Sequence, residues 1–254
     1  MHAEWTKLRT VTGTLWSLLT AVALTVALSA GVAAVVSCPS AGCGGDATRL
    51  SLTGVGLGQA VVAILGVIVI SNEYATGMIR TTLTAMPRRT ATLAAKAAVL
   101  TGVVLVAATF AVLSSLLAGR LLLPGNGFTP AHGYPSLSPA DGPTLRAATG
   151  SVLYLALIAL LALGIATAAR NAATAMGIVL GLLYLPPVIA QVISNPDWQE
   201  RLQQIAPMPA GLSVQATTDL RSLPIGPWAG LGVLAAWAAA ALLTGGLLLR
   251  LRDA

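Results

Sequence analysis

The sequence predicts an all-α membrane protein with six transmembrane helices, on three observations. Of the 254 residues, 56% are hydrophobic and only 9% are charged, where soluble domains carry roughly a quarter charged. Uncharged apolar runs of membrane-crossing length recur six times, and the acidic residues and histidines fall between them or at the ends. Helices are required because lipid offers no hydrogen-bond partner to a backbone N–H or C=O. The whole chain, 1–254, reads as one membrane domain.

Residues 1–14 set Trp5, Leu8 and Val11 three apart with Glu4, Lys7 and Arg9 around them, the pattern of an N-terminal interfacial helix. The first span covers about 15–36, which at about 1.5 Å per residue reaches about 33 Å. Val35, Val36, Ser37 and Cys38 also fit a lipoprotein cleavage pattern, but the apolar run exceeds the roughly 7 to 15 residues of a signal core. Cys38 and Cys43 are the only cysteines, and their spacing suits a small disulfide outside the cell as well as free thiols.

The second span covers about 50–70 and carries Gly54 and Gly58, a small-residue pair that suits close helix approach, a bend or a contact within the subunit. The polar stretch 71–92 follows. Ser71 or Asn72 is placed to cap a new helix, and Glu73 suits the positive end of its dipole. Tyr74, Met78, Thr82 and Ala85 then recur on one face with Arg80 off it, giving a short amphipathic cytoplasmic helix between spans two and three. Pro87 ends it, Arg88 and Arg89 follow, the chain re-enters the membrane near Thr90 or Thr92, and Lys96 is near enough to the interface to snorkel.

The third span is expected over about 93–117, and 119–143, rich in Gly and Pro, as an irregular outer loop. His132 in that loop has no neighbouring His, Cys or carboxylate cluster, so a metal site is not expected. The fourth and fifth spans, about 149–169 and 172–193, are joined by a tight hairpin at Arg170 and Asn171. Gly177 and Gly181 form a second small-residue pair, and Pro186 and Pro187 should kink or break the fifth span. Asn195 and Pro196 then open a short outer helix, with Trp198, Leu202 and Ile205 on one face, stopped by Pro207 and Pro209. The sixth span, about 228–249, is anchored by Arg250 and Arg252.

With the N-terminus inside, the cytoplasmic segments hold Lys7, Arg9, Arg80, Arg88, Arg89, Lys96, Arg170, Arg250 and Arg252, against Arg49, Arg120, Arg146, Arg201 and Arg221 outside. Nine against five places both termini in the cytoplasm. That asymmetry also accounts for the formal charge of +6 without nucleic acid, since the basic residues are scattered and form no stripe. No glycine-rich phosphate loop precedes Lys7 or Lys96, the only lysines, so the chain does not hydrolyse ATP by that route. No acidic residue or histidine lies within a span to relay protons, and His2 and His132 are both outside the spans, which disfavours a membrane hydrolase or metalloenzyme. The chain is read as a non-enzyme.

Glu73 and Tyr74 after the second span, followed by Gly77, Ile79, Arg80, Leu83, Pro87, Arg88, Arg89 and Lys96, resemble the loop of bacterial type-2, export-type ABC-transporter permeases. The resemblance extends more weakly over the order and lengths of the spans, while 119–143 is longer than the family's usual connection. It implies a permease subunit that pairs with a second permease, as homodimer or heterodimer, and with a separate ATPase subunit that carries the ATP and magnesium. It gives Glu73, Tyr74, Gly77, Met78, Arg80, Pro87, Arg88 and Arg89 the role of coupling to that ATPase. Location in a bacterial cytoplasmic membrane is expected, agreeing with the preference for arginine over lysine. Together with spans that are apolar and uncharged, the resemblance implies an amphipathic or lipophilic substrate such as a drug, antibiotic or lipid, moved outward. A secondary carrier, a channel and a structural membrane subunit are the alternatives.

Overall fold

The structure, a computed structural model, describes residues 12–39, 45–75, 89–134, 137–138 and 141–251. The described residues form helices α1 (Thr12–Val35), α2 (Ala47–Ser51), α3 (Val55–Ala75), α4 (Arg89–Leu122), α5 (Gly142–Ala169), α6 (Ala172–Val192), α7 (Pro196–Ile205), α8 (Pro207–Leu212) and α9 (Pro227–Leu251), with short 3-10 turns between some of them. Six of these, α1, α3, α4, α5, α6 and α9, are long and apolar enough to cross a membrane. The protein is an all-α, multi-pass membrane protein.

Helix α5 is the centre of the bundle and packs against α3, α4, α6 and α9, while α1 lies outside, on α3 and α4. Lipid is as apolar as a leucine side chain, so helices gain little by hiding apolar surface from it and associate through close packing. Glycines make that packing possible. A Cβ on Gly66 of α3 would sit 2.6 Å from the carbonyl oxygen of Ala159, and one on Gly164 of α5 would sit 2.5 Å from the carbonyl carbon of Ala241 in α9. From the other side, a Cβ on Gly245 would lie 2.6 Å from the carbonyl oxygen of Gly164. Gly54 and Gly58 do the same for α1, where Cβ atoms would meet Thr25 at 2.0 and 1.9 Å. That pair therefore serves a contact inside the subunit. At Gly177 and Gly181, by contrast, a Cβ would meet nothing within 4 Å.

Several boundaries differ from those read in the sequence. The second span is two helices: α2 ends at Ser51, Leu52 to Gly54 form a turn, and α3 starts at Val55. The turn is fixed by burial of Leu52 and by the Gly54 N–H, which donates to Ser29 Oγ at 3.1 Å. At its other end α3 continues to Ala75, so neither Ser71 nor Asn72 caps a new helix, and Glu73 and Tyr74 belong to the last turn of the span. Ser71 is buried and Tyr74 packs on the core, so tertiary contacts carry the helix one turn beyond the apolar run. Helix α4 starts at Arg89 and spans 34 residues, about 51 Å at 1.5 Å per residue, so it tilts or projects beyond the hydrocarbon. Lys96 lies on the inward stripe of α4 with Thr92, Leu93 and Leu100 and is only 3% exposed, buried where a surface-following side chain was expected.

Helix α5 starts at Gly142, seven residues before the expected position, because Thr144, Ala147 and Ala148 are buried and Arg146 is drawn in, its guanidinium donating to the Ala216 carbonyl at 2.6 Å. Before it, 3-10 turns at Pro124–Asn126 and Pro130–His132 are each closed by a left-handed glycine, Gly127 (φ 94) and Gly133 (φ 88). Phe128 meets Tyr134 edge-to-face at 4.9 Å, and with Leu123, Ala33 and Cys38 forms a second small core. Cys38 is disulfide-bonded. Cys43 lies outside the described residues, as do most of the N-terminal stretch 1–14 and Arg252.

Helix α6 runs through Pro186 and Pro187 without a break. Helix α7 starts as the sequence suggests, with Asn195 Oδ1 accepting from the N–H groups of Asp197 (2.9 Å) and Trp198 (3.4 Å). Pro207 both ends α7 and begins α8, contrary to a simple stop. Ala206 before it is extended (φ −71, ψ 137), as a residue preceding proline prefers, and Pro207 and Pro209 fall in a first turn where no N–H is needed.

The packing makes a direct prediction about the glycines. Gly164→Val should destabilise the protein by about 1–3 kcal/mol, the usual cost of overpacking, whereas Gly177→Val should leave it unchanged. Thermal unfolding of both variants in detergent measures the difference.

Candidate functional site

Among the described residues the bundle has two unlike ends, one with few loop residues and one with many. At the loop-poor end α3 stops, α4 starts and α5 turns into α6. The turn is made by Arg170, whose left-handed backbone (φ 57) closes α5 with its N–H on the Ala166 carbonyl, and by Asn171, whose side chain accepts from the Thr174 N–H to start α6. The Arg170 guanidinium carbon lies 5.8 Å from the centre of the Tyr74 ring, a cation–π contact between the α5–α6 hairpin and the last turn of α3. On the same side Arg250 of α9 reaches Thr90 Oγ1 in the first turn of α4 at 3.4 Å.

Of the expected coupling residues, Tyr74 is therefore placed against Arg170. Glu73 is in the last turn of α3 and Arg89 opens α4, both described by backbone alone. Gly77, Met78, Arg80, Pro87 and Arg88 lie outside the described residues.

The loop-rich end holds polar chemistry that sequence patterning did not single out. Gln59 of α3 is completely buried and donates through Nε2 to the Gly56 carbonyl at 2.9 Å, while its Oε1 accepts from the hydroxyl of Tyr154 in α5. The Tyr184 hydroxyl of α6 donates to the same Gly56 carbonyl at 2.8 Å. Three helices are thus joined by one connected set of hydrogen bonds. The available signal was Gln59 itself, an amide inside an apolar run that must find partners on other helices.

Beside this cluster is a cavity of about 610 Å³. Pro186, Pro187 and Ala190 of α6 and Met208, Pro209 and Leu212 of α8 give it an apolar lining, all half-buried. The Met208 methyl lies 3.9 Å from where a Cβ on Gly56 would be, next to the cluster. Arg49, Gln191, Gln199, Gln203 and Ser213 supply the polar lining, with Gln199 and Ser213 half-buried and the others exposed. The loop-rich end is further closed by Asp46, which caps α2 through the Arg49 N–H at 3.1 Å, accepts the Thr217 hydroxyl at 2.8 Å, and accepts the backbone N–H groups of Thr217 and Thr218. His132 spends Nδ1 on the Gly127 carbonyl at 2.7 Å, and no group of three metal-ligating residues occurs among the described residues.

No protein-family model matches this chain, and no curated protein matches it.

A double-mutant cycle tests the buried cluster. Tyr154→Phe, Gln59→Leu and the double variant, compared by unfolding in detergent, should show a coupling energy of about 1 kcal/mol, near the values measured for hydrogen bonds between membrane helices.

Proposed function

We propose that the protein is the membrane-spanning permease subunit of an ATP-driven exporter of the ABC type, moving an amphipathic or lipophilic substrate out across a bacterial cytoplasmic membrane. The observation that supports this most is the Tyr74–Arg170 contact at the loop-poor end. The stretch that resembles an ATPase-docking loop leaves the last turn of α3 and returns at the first residue of α4, Arg89. A force on that stretch would act on α3 and α4 directly, and through Tyr74 on the α5–α6 hairpin. Because α5 packs on four of the other long helices, motion at this end would spread through the bundle.

In this reading the loop-poor end is cytoplasmic, as the nine-to-five distribution of basic residues implies. A partner chain binds and hydrolyses ATP with its magnesium, and a second permease subunit completes the transporter. This chain contributes no catalytic residue and holds no cofactor. Glu73, Tyr74, Gly77, Met78, Arg80, Pro87, Arg88 and Arg89 form the contact surface for the ATPase.

Replacing Arg88 and Arg89 together by alanine should lower substrate-stimulated ATP hydrolysis of the reconstituted complex by about tenfold, the loss of one strong charge-assisted contact, with membrane insertion unchanged. Stimulation equal to that of the wild type would mean that the pair only sets topology.

A further inference from the structure

From the cavity at the loop-rich end we infer a binding site for one anionic phospholipid, its phosphate on Arg49 and its first acyl carbons against α6 and α8. The inference does not rest on coupling to an ATPase. It requires only that this end lie at a membrane surface.

Three observations converge. The first is depth. Trp198 in α7 and Trp228 in α9 are both more than half exposed at this end of the bundle, and exposed tryptophans concentrate at the level of lipid headgroups. The cavity takes part of its lining from α7 and from Leu223 to Ile225 just before α9, so it lies at the same level.

The second is charge. Arg49 is the one cationic residue among the described lining residues, and no carboxylate is among them. The nearest acidic residue in sequence, Asp46, is occupied by Thr217, Thr218 and the Arg49 backbone N–H. Asp197 and Glu200 belong to α7 but do not line the cavity, and Arg201 of that helix stacks over the Trp198 ring at 5.6 Å. A guanidinium presents paired N–H groups that match phosphate oxygens, and the amides of Gln191 and Gln203 can donate to the remaining oxygens or to a glycerol hydroxyl.

The third is shape. About 610 Å³ falls within the range of small-molecule sites. A free phosphate would leave the apolar lining unfilled. That lining continues along α6 through Leu185, Val188 and Ile189, exposed apolar residues on a membrane-crossing helix. An acyl chain that starts between Pro187 and Met208 has an apolar surface to follow into the bilayer.

The test uses the full chain in phosphatidylcholine nanodiscs doped with phosphatidylglycerol, with native mass spectrometry reading the lipid retained after release. The wild type should retain one phosphatidylglycerol in preference to phosphatidylcholine. Arg49→Gln should reduce that preference about tenfold, the scale of a hydrogen bond to a charged group. Ala190→Trp, which fills the apolar side and keeps the charge, should abolish retention. If the tryptophan variant fails to fold, Arg49→Gln decides alone, because Arg49 is exposed. Equal retention of the two lipids, or undiminished preference in Arg49→Gln, overturns the site. Displacement by soluble glycerol 3-phosphate as effective as by the lipid overturns the lipid assignment in favour of a free-anion site.

Discussion

Everything in the bundle depends on how closely α5 is allowed to approach its neighbours. In lipid there is no water to drive helices together, so contact between backbones has to supply the attraction. At Gly66, Gly164 and Gly245 the helices meet so closely that a single methyl group would overlap the opposing backbone. These contacts hold α3 and α9 against one central helix. The Gln59–Tyr154–Tyr184 cluster then adds hydrogen bonds that include α6, where an unpaired amide in an apolar interior would be costly.

The two ends of this rigid centre differ in kind. Among the described residues, the loop-poor end makes its connections chiefly through the Arg170–Asn171 hairpin and the contact of Arg170 with Tyr74. The loop-rich end is built from short helices, 3-10 turns and side chains such as Asp46 and Arg146 that tie distant segments together. A permease needs one surface to receive work and another to meet its cargo or the surrounding lipid, and the proposed function assigns these tasks to the two ends. The assignment gives the outer cavity a role in contact with lipid and leaves the cytoplasmic stretch to the partner.

The six spans, the Arg170 hairpin and the Asn195 cap were legible in the sequence, because length, hydropathy and capping chemistry are local properties. What was not legible came from contacts between distant segments. Ser71 is capable of capping a helix, yet its burial carries α3 onward. Arg146 reads as a loop residue until the Ala216 carbonyl appears as its acceptor, seventy residues away. Gly54 and Gly177 look alike as members of small-residue pairs, and only the packing distinguishes the one pressed against Thr25 from the one facing open space. The cavity is likewise assembled from residues as far apart as Arg49 and Ile225, so no motif could announce it. Much of the expected coupling stretch lies outside the described residues, and its proposed role still stands on its sequence.

The central functional claim is that this chain works with a separate ATP-hydrolysing partner. The most direct measurement is to purify the tagged protein from membranes of its native host in mild detergent and quantify every chain that accompanies it. The account predicts an ATP-hydrolysing subunit in equal amount, its hydrolysis responding to added amphipathic substrate. Purification of the protein without any such subunit would contradict the account and favour a carrier, a channel or a structural membrane protein.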